Sequence, residues 1–83
     1  MKKNDLFIDV SSHNGYDITG ILEDMGTQNT IIKVSESTNY LNPCLSAQVE
    51  QSTPVGFYHF AWFGGDDEEA EREAKYFLEN VPV

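Results

Sequence analysis

Eighty-three residues make one small domain with a thin core, able to bury about 60–65% of its unfolded surface. Five Lys and Arg stand against fourteen Asp and Glu, a formal charge of -9. That balance excludes a nucleic-acid binder and disfavours anionic membranes, since phosphate contacts need clustered cations. An apolar content of 40% argues for a folded chain rather than a disordered one. The one cysteine, Cys44, has no internal disulfide partner and reads as a small side chain near a helix start. Met1-Lys2-Lys3 leads into an apolar run that Asp9 interrupts, too short for a signal-peptide core or a membrane span. The expectation is synthesis in the cytoplasm, with release by another route if the chain acts outside the cell.

Leu6-Phe7-Ile8-Asp9-Val10 is the near-continuous apolar run of a strand covered on both faces, predicted over 6–10. The polar turn Ser11-Ser12-His13-Asn14-Gly15 follows it. Asp17 is placed to cap a helix over 18–25, where Ile18, Ile21, Leu22 and Met25 recur at helical spacing and Gly26 is the stop. Thr30-Ile31-Ile32-Lys33-Val34 is β-branched and predicts a second strand over 30–34, with Ser35 to Tyr40 as a polar loop. Asn42 as N-cap and Pro43 as first helical residue predict a helix over 43–51, which Pro54 breaks. The third strand is predicted over 55–60 and a third helix over 67–80. Asp66 and Glu69 there resemble a capping box, and Ala70, Ala74, Phe77, Leu78 and Val81 form the apolar face. Six of the fourteen acids fall between Asp66 and Glu73, matched to the helix dipole and expected to face water.

Three strand-helix units about 25 residues apart predict an α/β fold with a parallel sheet and right-handed crossovers, as in a (β/α) barrel or a doubly wound sheet. In both, ligands sit at the carboxyl ends of the strands. Those ends carry the unusual polar residues of this chain: Asp9 to Asn14, Ser35 to Thr38, and His59 with Trp62. Two carboxylates, Asp9 and Glu36, beside Tyr40, Tyr58, Trp62 and Phe63 suggest carbohydrate chemistry, with rings to stack on sugars and acids to act at a glycosidic bond. Blander roles compete at each position. Asp9 is placed to cap amides in its turn, Glu36 to pair with Lys33 or His59, and Tyr58 and Phe60 to fill a core.

Three motifs carry a resemblance: Asp9-Val10-Ser11-Ser12-His13-Asn14-Gly15, Lys33 through Pro43, and Gly56-Phe57-Tyr58-His59-Phe60-Ala61. In order and spacing they resemble the first three strand-end motifs of the glycoside hydrolase family 25 lysozymes, especially those of phage endolysins. The resemblance implies that residues 1–83 are the N-terminal part of a lysozyme catalytic domain, the first part of an irregular TIM-like barrel. It implies cleavage of the β-1,4 bond between N-acetylmuramic acid and N-acetylglucosamine in a peptidoglycan glycan strand, at the bacterial cell wall, without metal or other cofactor. Asp9 matches the family's first-strand catalytic carboxylate. Glu36 matches a supporting acid of the groove, and Tyr58 and His59 match its wall; Ser11, His13, Tyr40 and Trp62 are placed as supporting or substrate-binding residues. The sequence departs at Ser37, where glycine is frequent in the family, and at His13-Asn14, where an aromatic and a glutamine are common.

The family's proton donor lies in an Asp-x-Glu motif at the end of a fourth strand, and the sequence stops before such a strand. An oxocarbenium-like transition state needs an acid for the leaving oxygen as well as a carboxylate for the ring. The expectation is half a site, little turnover by the 83 residues alone, and self-association through uncovered sheet edges. Other readings are a non-catalytic glycan-binding or assembly module; a phosphate binder, for which Ser11 to Gly15 supplies only one glycine; and a metal site from Asp9, His13, Glu36 and His59.

Overall fold

A computed structural model describes residues 6–62 and 67–82. Strands β1 (Ile8–Val10), β2 (Asn29–Glu36), β3 (Tyr40–Leu41) and β4 (Thr53–Phe60) form one sheet with helices α1 (Thr19–Met25), α2 (Leu45–Gln51) and α3 (Asp67–Asn80). β2 is the organising strand. β4 runs parallel along one of its edges from Asn29 to Glu36, while β1, also parallel, takes the other edge at Thr30–Ile32. The antiparallel β3 continues that second edge at Ser35–Glu36.

The sheet is therefore mixed, which corrects the expectation of a purely parallel one. Residues expected to form a polar loop after the second strand instead make a tight hairpin: β2 runs on to Glu36, and Tyr40 pairs back with it. The turn places Ser37 at φ 53°, the left-handed region that favours glycine.

The core lies on one face of the sheet. Val10 and Ile32 pack against Ile18 and Leu22, with Ile8, Leu45, Val49 and Phe57 around them. Each full burial of this kind contributes about 1.5–3 kcal/mol, so this cluster is the principal apolar stabilisation. Of the stripe expected for α1, Ile18 and Leu22 are buried while Met25 is exposed, and Gly26 ends the helix at φ 67°. Asp17 is expected from the sequence to cap this helix, but the N-cap is Ile18, which makes no side-chain cap bond; Asp17 Oδ1 instead accepts from the Thr19 backbone N–H at 3.0 Å in a local turn at the helix start.

Several boundaries differ from those read in the sequence. β1 begins at Ile8, and Leu6 and Phe7 are exposed. α2 begins at Leu45; Asn42 does not cap it directly but accepts from the Cys44 N–H at 2.9 Å, and Pro43 precedes the helix. Cys44 sits at the start of α2, as expected, and is buried. β4 starts at Thr53, so Pro54 lies inside a strand. It is tolerated beside an irregularity where the register jumps from Thr30–Pro54 to Ile31–Gly56, a position at which a missing N–H costs little. Asp66 and Phe63 lie outside the described residues.

The face of α3 is the largest correction. Ala74 and Leu78 are exposed, and the inward stripe carries a buried acid, Glu73, between Ala70 and Phe77. The expectation that every acid of this helix faces water fails there, because Glu73 finds hydrogen-bond donors at the end of β4 that offset its burial.

Candidate active site

Register decides which side chains share the second face of the sheet. Asp9 pairs with Ile31 and Ile31 with Gly56, while Lys33 pairs with Tyr58 two residues further along. Partners in register point the same way and alternate along each strand, so Asp9, Ile31, Lys33 and Tyr58 lie on the face opposite the core. In an unbroken strand Glu36, three residues after Lys33, would point to the helical side. A bulge prevents this: two residues of β2 advance between the Lys33–Tyr58 and Ser35–His59 pairs against one of β4. The extra residue turns Ser35 toward the helices with His59 and returns Glu36 to the face of Lys33.

On that face the Lys33 ammonium contacts Glu36 Oε1 and lies 5.3 Å and 5.2 Å from the ring centroids of Tyr40 and Phe60. Glu36 Oε2 accepts from the Trp62 indole Nε1 at 2.9 Å. These hydrogen bonds, Lys33 first and Trp62 second, hold the Glu36 carboxyl below the usual glutamate range. Glu36 is thereby a committed acceptor, the partner of Lys33 that the sequence suggested. Asp9 is exposed and has no hydrogen-bond or ion-pair partner among the described residues. The alternative of Asp9 as a turn cap does not match this geometry, since Ser11 and Asn14 cap the turn. Burial pushes the Tyr58 phenol up; the Lys33 charge opposes this and the Asp9 charge adds to it, so all three share one electrostatic neighbourhood.

The turn after β1 is built by its own polar side chains. The Ser11 hydroxyl accepts from His13 N at 3.3 Å and Asn14 Oδ1 from Ser11 N at 2.9 Å, closing a capping box on the short 3-10 turn Ser12–Asn14. Ser11 is thus committed to the backbone, and the exposed His13 ring reaches no other candidate residue. Ser12, which the sequence reading did not single out, meets Tyr40 Oη at 2.6 Å and ties the turn to the hairpin.

His59 lies on the other face. Its Nδ1 is 2.8 Å from Ser35 Oγ and its Nε2 is 2.7 Å from Glu73 Oε1. The arrangement has the order of a Ser-His-Glu triad, yet Ser35 is fully buried, so its hydroxyl cannot reach a substrate carbonyl. The structure therefore separates His59 from the groove wall expected of it. Among the described residues no cluster of three His, Cys, Asp or Glu side chains is arranged to hold a metal ion.

Sequence reasoning missed Glu73 and Gln48, which the helical spacing places on stripes otherwise apolar: Ala70, Glu73, Phe77 and Leu45, Gln48, Val49. A polar residue at a core position of a stripe was the available signal. The bulge at Val34 left no such trace.

Comparison with known proteins agrees with this geometry. The sequence profile of glycosyl hydrolases family 25 matches residues 8–83. The lysozyme of Streptococcus phage Cp-9 is 84% identical over the whole chain, which spans 24% of that protein. The modular Cpl-1 endolysin, solved in complex with a peptidoglycan analogue, is 82% identical with a TM-score of 0.98, over all of this chain and 25% of that one. A family 25 glycosyl hydrolase from Bacillus anthracis is 29% identical with a TM-score of 0.70, over 99% of this chain and 39% of that one. The chain thus spans about a quarter of the length of its phage relatives, and it belongs to glycosyl hydrolase family 25.

Proposed function

We propose that these residues form the first part of the TIM-like barrel of a peptidoglycan hydrolase, an N-acetylmuramidase acting at the bacterial cell wall after release from the cytoplasm. Its substrate is the glycan strand, cut at the β-1,4 bond between N-acetylmuramic acid and N-acetylglucosamine. The observation that carries this reading is the exposed Asp9 carboxylate at the C-terminal end of β1, on the face of Lys33, Glu36 and Tyr58, in a family 25 chain. The peptidoglycan analogue bound by the Cpl-1 endolysin supports the choice of substrate.

Asp9 supplies the negative charge that an oxocarbenium-like transition state needs, as nucleophile, as electrostatic partner or by orienting the substrate acetamido group. Tyr40, Tyr58 and Trp62 line the groove, and Ser11 and His13 shape the turn beside it. Glu36 cannot give a proton to the leaving oxygen, because its carboxyl is held ionised by Lys33 and Trp62. Glu73 is buried on the opposite side of β4. The acid is not supplied by either, and the 83 residues alone give little or no turnover. They also self-associate, since β1 and β4 each pair only with β2 among the described residues and leave an outer edge open.

Mass spectrometry of glycan products tests the reading. A chimera in which these residues replace the matching quarter of the Cp-9 phage lysozyme releases fragments with N-acetylmuramic acid at the reducing end. Fragments ending in N-acetylglucosamine, or cut only in the peptide stems, contradict it. If Asp9→Ala retains glycan affinity and no variant affects turnover, the non-catalytic binding module is the better account.

A further inference from the structure

Trp62 combines two properties that rarely occur together. Its side chain is 61% exposed at the rim, yet it is held at both ends. The backbone N–H, two residues past the end of β4 and outside the sheet, donates to Glu73 Oε1 at 3.0 Å and Oε2 at 3.1 Å. The indole N–H donates to Glu36 Oε2 at 2.9 Å. Between these anchors the indole rests against Phe60, itself exposed, with centroids 5.4 Å apart and planes tilted by 39°.

Glu73 is an expensive residue to place here. It is 1% exposed, on the inward stripe of α3 between Ala70 and Phe77. A buried carboxylate is tolerated only when donors surround it. Glu73 has the Trp62 amide and His59 Nε2, and His59 is fixed in turn through Nδ1 by the buried Ser35 hydroxyl and by the edge of Phe77 at 6.1 Å. A carboxylate oxygen only accepts, so the Nε2–H of His59 donates to Glu73 Oε1, while Nδ1 meets the Ser35 hydroxyl. The whole chain of contacts converges on one outcome, a fixed Trp62 backbone just past the strand end.

We infer that Glu73 is a positioning residue: by clamping the Trp62 amide it holds the Phe60–Trp62 pair as a preformed apolar platform for the face of a pyranose ring. The inference rests on the reading of this rim as a glycan site. An exposed ring left to itself would sample several rotamers and lose that freedom on binding, and fixing it beforehand removes the loss. The indole–Glu36 contact sets the ring orientation, and the Glu73 contact sets where the ring starts.

The test uses the 83-residue chain, whose only tryptophan is Trp62, with chitotetraose as the soluble probe and 15N-resolved NMR as the readout. In the unmutated chain the Trp62 backbone amide exchanges with solvent at least a hundredfold more slowly than a free peptide, and the indole N–H signal shifts on addition of chitotetraose. Trp62→Ala, at an exposed position, keeps the fold and weakens binding tenfold or more. Glu73→Gln retains one acceptor oxygen, weakens binding about fivefold, and splits or broadens the indole signal while the signals of β2 stay in place. A Glu73→Gln chain with unchanged affinity and indole signal overturns the role of Glu73 while leaving the glycan site intact. If that variant fails to fold, amide exchange in the unmutated chain decides: a Trp62 amide exchanging at the free-peptide rate overturns the clamp. Failure of the unmutated chain to bind chitotetraose, with the Trp62 amide still protected, overturns the glycan platform but not the clamp.

Discussion

Gln48 on α2 donates from Nε2 to the Ser11 carbonyl at 2.8 Å, and a second bond to the Gly15 carbonyl at 2.9 Å closes the turn that follows Asp9 from both ends. Its Oε1 accepts from Asn42 Nδ2 at 3.0 Å, which also donates to the Lys33 carbonyl at 2.9 Å. One buried amide thus joins the strand ends of β1 and β2 through α2. Gln48→Leu keeps the volume and leaves two carbonyls with a lost donor, so the chain should lose about 2–3 kcal/mol of stability. Urea unfolding measures this; a loss under about 0.5 kcal/mol would mean the turn finds other partners.

Ser37 occupies the left-handed region at φ 53°. Glycine adopts that conformation without the side-chain clash, at some cost in unfolded-state entropy. Ser37→Gly is expected to stabilise the chain by about 0.5–1 kcal/mol, read as a higher urea midpoint at unchanged slope. A lower midpoint would show that the hairpin relies on the serine side chain.

Much of the fold was legible in these same segments. The apolar spacing of Ile18, Leu22 and Leu45, Val49 marked the helices, and the β-branched run Thr30 to Val34 marked the central strand, because burial of one face imposes a period on the sequence. The hairpin was not legible: it depends on one residue at positive φ and a two-residue strand, neither of which leaves a periodic pattern. The placing of Glu36 beside Lys33 depends on the bulge at Val34, which no residue type announces. Glu73 was misread because acids near a helix start ordinarily face water, and only tertiary donors at Trp62 and His59 reverse that.

The Glu36 carboxyl lies below its ordinary value because Lys33 and Trp62 hydrogen-bond to the ionised form. A depressed carboxylate contributes stability above its unfolded value, and that contribution is lost as the pH falls through the folded value. Fluorescence of Trp62, the single tryptophan, should therefore show an acid transition with its midpoint below the ordinary glutamate value. Glu36→Gln should abolish that step. A midpoint above the ordinary glutamate value would contradict the pairing.

Tyr58 reports the neighbourhood of Asp9. Burial raises its phenol, Lys33 opposes the rise and Asp9 adds to it. In NMR titrations of the Tyr58 ring, Asp9→Asn should lower the ionisation midpoint and Lys33→Met should raise it. Insensitivity to Asp9→Asn would place that carboxylate outside the groove.

Reducing-end release from purified peptidoglycan by the chimera with the Cp-9 phage lysozyme, before and after Asp9→Asn, addresses the central claim most directly. The substitution keeps the size of the side chain at an exposed position and removes its charge. The expected result is a loss of turnover of about a hundredfold or more, with the urea midpoint unchanged. Turnover kept within a few-fold would contradict the assignment of Asp9 to the chemistry of the site.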